Sequence, residues 1–303
     1  MRFLIYILPI FLLSIEPITP IPQTIKYNKV KVSIGKQLFF DNSFSSDKKV
    51  SCASCHSPKY GGADPRKVSI GVYEKKGNIQ SPTVYNSGYN FRQFWNGRAR
   101  DLKEQIEGPT HNPVEMGMNN KKIEKILNSK KEYLVMKKIY KTNYITFDMF
   151  KDAIAEFEKT LITPNCKFDK WLRGENKLTK AEKEGYYNFK KLGCITCHNG
   201  INIGGNSFQK IGVILGAKDR KGDREEVTKN ENDKFVYKVP TLRNIALTAP
   251  YFHSGLTYNL AESVNIMAYH NLGLKLTKNQ TKTIVLFLKT LTGDKPQTLD
   301  IKK

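Results

Sequence analysis

Apolar residues recur along this chain mostly at helical spacing. Over residues 146–161, Phe147, Phe150, Ile154, Phe157 and Leu161 fall three or four positions apart, predicting a helix with one apolar stripe that Pro164 ends. Three later segments open with a side-chain cap followed three positions on by Glu or Gln, the pairing that satisfies the free amides of a first helical turn. They are Thr179 with Glu182, Asn259 with Glu262 and Thr277 with Gln280, and the helices they open close near Gly193, Gly273 and Gly293. In the first half, residues 34–40 predict a short helix and 121–140 a longer one, with Ile123, Ile126 and Leu127 on one face. Between them, residues 59–118 are rich in Gly, Pro and Asn and show little periodicity; so long an irregular segment inside a compact domain is more often functional than not. Strand alternation is weak throughout, so the expected class is mainly α, with long irregular loops between helices.

A length of 303 residues favours two domains, each large enough for a core of its own. The end of the 146–161 helix sets the boundary, giving 23–165 and 166–303. Met1 and Arg2 precede an apolar run over residues 3–15, then Glu16 and several prolines. That run is too short to span a bilayer, and residues 1–22 read as an export signal or a retained N-terminal anchor. Either places the folded part outside the cytoplasm, best in a bacterial periplasm.

Two pentapeptides change the picture. Cys52-Ala53-Ser54-Cys55-His56 and Cys194-Ile195-Thr196-Cys197-His198 use four of the five cysteines. Two thiols at this spacing can each add to a vinyl group of one porphyrin, and the histidine that follows can ligate its iron, so the chain is expected to carry two covalent c-type haems, one per domain. A zinc site built from the two Cys pairs is the competing reading; it needs the pairs brought together and has no use for histidine after both. Cys166, between two helical patterns, is expected to be simply buried.

What occupies the second axial position decides between electron transfer and reaction with a small molecule. For the second haem, Met267 shares a helix face with Leu260 and Val264 and is either the distal ligand or core filling. For the first, no sixth ligand is obvious; His111, Met116 and Met118 are candidates, and the iron is otherwise open. His253 and His270 suit structural hydrogen bonds or haem propionates. The formal charge of +22 comes from dispersed lysines and no nucleic-acid motif accompanies it. It reflects coding bias, or steers an acidic redox partner or an anionic surface.

Four segments carry a family resemblance: 93–99 (Gln-Phe-Trp-Asn-Gly-Arg-Ala), 113–116 (Pro-Val-Glu-Met), 163–165 (Thr-Pro-Asn) and 240–253, from Pro240-Thr241-Leu242-Arg243-Asn244 to Ala249-Pro250-Tyr251-Phe252-His253. In order and spacing they resemble the bacterial di-haem cytochrome c peroxidases, over about residues 34–291. The resemblance implies two cytochrome c-like domains. The first would hold the low-potential, peroxide-reacting haem on His56, and the second the high-potential, electron-accepting haem between His198 and Met267. It further implies Trp95 between the haems, Glu115 as the catalytic acid-base, a calcium ion at Gln80, Thr248 and Pro250, and a homodimer. Hydrogen peroxide would be the substrate and a small cytochrome c or cupredoxin the electron donor.

Two departures stand out. Gln80 replaces the family's usual asparagine, and Val72 follows Ser69-Ile70-Gly71 where many members carry a histidine that closes the peroxidatic iron until the other haem is reduced. The first iron is therefore expected to be open at rest, or capped by His111. The competing functions are a related di-haem enzyme that oxidises tryptophan on a partner protein, whose second haem has a distal tyrosine, and a carrier or redox sensor without turnover.

Overall fold

The computed structural model describes residues 16–300. Six helices of ten residues or more carry it: α1 (Lys29–Phe40), α2 (Asn120–Ser129), α3 (Phe147–Lys159), α4 (Lys180–Lys191), α5 (Leu260–Leu272) and α6 (Lys278–Lys289). The described strands are β1 (Phe208–Lys210) and β2 (Val236–Lys238), an antiparallel pair that matches Phe208 with Lys238.

Most predicted helices form where their caps place them. Thr179 and Glu182 bond reciprocally at the start of α4, as do Thr277 and Gln280 at the start of α6. Asn259 caps α5 by accepting from the amides of Ala261 and Glu262, but the predicted reciprocal bond is absent because the Glu262 carboxylate takes the Thr257 hydroxyl instead. Helix α1 starts five residues before the apolar signal, because the Asn28 side chain accepts from the amides of Val30 and Lys31. The helix predicted over residues 121–140 is broken. Lys130 leaves α2 in an extended conformation while its ammonium reaches Asp41 and Ser43, both at 2.9 Å, and the chain resumes as Val135–Ile139.

Two apolar clusters form. One gathers Val32, Leu38, Phe39, Phe44, Phe150 and Phe157 among others from residues 32–161, and the second gathers Phe168, Tyr186, Phe189, Phe287 and Leu291. Each is closed by one pair of helices in backbone contact. A Cβ on Gly35 of α1 would lie 1.9 Å from the Ala153 carbonyl oxygen of α3, and one on Gly185 of α4 would lie 1.9 Å from that of Thr283 in α6. Only a residue without a side chain permits either approach.

The halves are tied through buried amides. Asn86 and Thr163 exchange hydrogen bonds at 2.8 and 2.9 Å, and Asn244 donates to the same Thr163 hydroxyl at 2.9 Å. Residues 16–21, assigned from sequence to the leader, instead pack on the second half: Ile18 is 2% exposed within its core, and the Thr19 carbonyl accepts from Arg243. The rest of the expected leader, residues 1–15, lies outside the described residues. The other end crosses the opposite way, Thr298 meeting Thr160 at 2.8 Å and the Leu299 carbonyl taking the Lys36 ammonium.

Gly185→Ala is expected to destabilise the protein by about 2–3 kcal/mol, because a methyl has to be forced against backbone. Gly77→Ala, whose Cβ would meet nothing closer than 3.5 Å, should stay within ~0.5 kcal/mol. Urea denaturation followed by circular dichroism checks both, and equal stabilities would contradict the close-packing account.

Candidate active site

At the first pentapeptide, Ser51 caps a one-turn helix, Cys52–Cys55, with Ser54 bonding back to the Ser51 amide. The His56 amide donates to the Cys52 carbonyl at 2.9 Å, so one turn presents two thiols and an imidazole together. All five cysteines are free. Nδ1 of His56 lies 3.1 Å from the Pro82 carbonyl. That bond fixes the ring and leaves Nε2 for a metal. Burial lowers the His56 pKa, favouring the neutral, ligating imidazole. Glu158 on α3 lies close enough to Cys52 to push its thiol pKa up further, after burial itself. Burial alone raises the Glu158 carboxyl to about 8, so it is a neutral acid at pH 7.

Glu115 stands on the loop after the short helix Glu107–His111. Asn112 organises that loop: its side-chain oxygen accepts from the Val114 amide at 2.9 Å, and its amide donates to Glu115 Oε1 at 2.7 Å. Burial raises the Glu115 pKa, with Asn112 and then the charge of Arg98 pulling it back. The segment holding Val72 lies against this loop. The Val72 amide donates to the Glu115 carbonyl at 2.8 Å, and a Cβ on Gly71 would fall 2.0 Å from the Val114 oxygen. The Val72 side chain is fully buried. His111 is engaged elsewhere: Nε2 meets Asn120 at 2.8 Å, Nδ1 faces Glu107 at 3.9 Å and the ring stacks on Phe147. Met116 and Met118 are core residues.

The second pentapeptide follows α4 directly. Gly193 takes φ 96°, a left-handed turn that delivers Cys194–Thr196 as a 3-10 turn, and the His198 amide donates to the Cys194 carbonyl at 3.0 Å. Cys194, Cys197 and His198 line one cavity with Met267, Leu260 and Val264 of α5. Sequence reasoning placed those residues on one helix face, and the fold turns that face toward His198. Burial lowers the His198 pKa to about 4, the backbone of Ile203 pulling the other way, and its buried Nδ1 has no hydrogen-bond partner among the described residues. Such a set, two thiols and a neutral imidazole facing a thioether across a mainly apolar hollow, fits a c-type haem. The two Cys pairs are not assembled with other ligands into a metal cluster among the described residues, as the zinc reading required.

Trp95 borders the same cavity and is held from both halves. Its indole N–H donates to the Gln80 carbonyl at 2.8 Å, its own carbonyl accepts from the Lys238 amide at 2.7 Å, and its ring meets His253 edge-on at 6.2 Å. His253 stacks on Tyr237 at 4.4 Å, and His270 bonds the Gly216 carbonyl at 2.7 Å, so both histidines make structural contacts. Gln80, Thr248 and Pro250 also line this cavity. Lys238 lines it too, and was missed by sequence reasoning along with Asn112 and Glu158.

The fold is that of di-haem peroxidases. A solved MauG-like protein associated with microbial copper homeostasis superposes with a TM-score of 0.80 over 95% of this chain and 96% of its own, at 24% identity. A family model described as di-haem cytochrome c peroxidase matches residues 29–177. The cytochrome c551 peroxidase of Nitrosomonas europaea is 47% identical over 285 residues, 93% of this chain and 85% of that one. That of Pseudomonas aeruginosa is 40% identical over 275 residues, covering 87% and 79%. The chain belongs to the di-haem cytochrome c peroxidase family: it is an oxidoreductase that reduces hydrogen peroxide, and its cofactors are two haems.

The Asn112 bond holds the Glu115 carboxyl down, so Asn112→Ala should raise its pKa. The carboxylate is then lost at a higher pH as the pH falls, and where that carboxylate serves turnover the acid-side fall of peroxidase kcat/KM moves upward with it. A pH profile checks this, and an unmoved acid limb would disconnect Glu115 from turnover.

Proposed function

We propose that this enzyme divides its work between two cytochrome c-like domains, 23–165 and 166–303, each carrying one covalent c-type haem. Cys52 and Cys55 attach the first, with His56 as proximal ligand; Cys194 and Cys197 attach the second, ligated by His198 and Met267. When bound, the first would supply an iron on which peroxide reacts, and the second an electron relay of higher potential. A methionine rather than a tyrosine facing His198 supports peroxide reduction over oxidation of a partner's tryptophan.

The observation that carries the reading is the Glu115 carboxyl, held by Asn112 on the loop that packs against Val72. Reducing hydrogen peroxide to two waters consumes two electrons and two protons, and a proton must pass from one peroxide oxygen to the other as their bond breaks. Glu115 takes it as base and returns it as acid. Its raised pKa suits both halves of that task. Trp95, hydrogen-bonded to each half, offers an aromatic bridge for electrons between the domains. A carrier or sensor has no use for such a carboxyl.

Val72 cannot ligate iron, and the ring of His111 is occupied by Asn120 and Phe147. We therefore take the first iron to be accessible to peroxide without prior reduction of the second. Calcium at Gln80, Thr248 and Pro250 would be held by carbonyl oxygens, which suit that ion whatever the side chain. The apolar run over residues 3–15 directs export to the periplasm; among the described residues no helix is long and apolar enough to cross a membrane. A small cytochrome or cupredoxin with an acidic face is the donor suited to a chain of charge +22. A homodimer rests on the family resemblance alone.

Glu115→Gln should lower peroxide-dependent oxidation of a reduced small cytochrome on the order of 10²-fold, with both haem spectra intact. Undiminished turnover sinks the assignment. The fully oxidised wild type should give no low-spin bis-histidine electron paramagnetic resonance signal from the first haem and should turn over without pre-reduction. Val72→His should introduce both the signal and the need for pre-reduction; a bis-histidine signal already present in the wild type refutes the open site.

A further inference from the structure

A charge removed from water needs a partner. Elsewhere this protein supplies one. The fully buried Arg243 guanidinium forks onto Asp169 at 2.9 and 3.1 Å, Asp64 takes Arg66 at 2.7 Å, and Asp223 accepts the Phe235 amide at 2.8 Å with Arg220 at 3.5 Å. Glu158, buried without a partner among the described residues, escapes the cost by staying protonated. Lys238 has no such arrangement. It is only 7% exposed, and its ammonium makes no hydrogen bond or ion pair with the described residues. The residue lines the cavity that also presents Cys194, Cys197, His198 and Met267.

We propose that Lys238 is the counter-ion of a haem carboxylate: its ammonium binds a propionate of the haem seated at Cys194, Cys197 and His198 and holds that haem's potential up. This rests on the reading of the cavity as the second haem's seat. A haem brings two carboxylates into the cavity, supplying the anion that the protein withholds. The lysine is not free to turn elsewhere, because Lys238 is paired with Phe208 in the β ladder and its amide is bonded to Trp95. Adding an electron to the haem makes its surroundings more negative, and a fixed cation nearby stabilises that state. The same residue therefore positions Trp95 through its backbone and sets the electron-accepting level through its side chain.

The test is an optical redox titration of the full-length protein with both haems attached. In Lys238→Met the reduction equilibrium constant of the second haem should fall about tenfold, ~59 mV for one electron, while Lys238→Arg should stay within about threefold of wild type. An unchanged potential in Lys238→Met overturns the proposal. Lys238→Gln substitutes if the methionine variant fails to mature. If neither uncharged variant matures, the propionate bending band in resonance Raman spectra decides: it must move between wild type and Lys238→Arg, and a coincident band overturns the pairing. A wild-type chain with no haem on Cys194 and Cys197 would defeat the reading of the cavity itself, whereas a haem seated normally with a potential indifferent to Lys238 defeats only the role of the lysine.

Discussion

The contact on which the rest depends is a helix pressed onto another helix's backbone through a missing side chain. Gly35 on Ala153 and Gly185 on Thr283 place each early helix as near its later partner as two backbones can come. From α4 the consequence passes straight to chemistry, since Gly193 turns the chain and Cys194 follows at once. From α1 it passes through the 3-10 turn Asn42–Phe44 to the capped turn of Cys52. Side-chain packing around each pair then fills in the two cores. The same device serves both halves, so what separates their chemistry has to lie in the loops.

Those loops make the two histidines unlike. His56 is oriented by a backbone carbonyl, whereas His198 has its Nδ1 buried and unpaired among the described residues and shares a cavity with a methionine. Beside Cys52 and Cys55 of the first pentapeptide lie the carboxyls of Glu158 and Glu115, both with pKa values raised by burial. Around His198 the chain gathers a mainly apolar hollow that two lysines, Lys210 and Lys238, also line. The two pentapeptides thus sit in different electrostatic surroundings on a common scaffold.

Local features of this arrangement were legible in the sequence. The pentapeptides, the caps of Thr179 and Thr277 and the stripe of α3 are short-range patterns, and each forms as written. The failures share a cause, which is interference from residues far along the chain. Lys130 abandons a helix its neighbours favour because Asp41 and Ser43 attract its ammonium. Glu262 leaves the cap of α5 for Thr257. Residues 16–21 look like the tail of a leader, yet Arg243 and the second core claim them. Lys238 is one of 50 basic residues, and nothing local distinguishes it from the solvated ones. The Thr163 hydroxyl could be recognised only by family likeness, because both amides that use it come from remote turns.

The crossed ends bear on how the molecule is made. A chain emerges N-terminus first, so residues 16–21 wait for the second half to exist before they find Arg243 and its core. The first half in turn lacks Thr298 and Leu299 until the second half has been made. Neither half is finished when its own stretch of chain is complete. Each is latched by residues from beyond the other's core, so the half that appears first is closed by residues that follow the second.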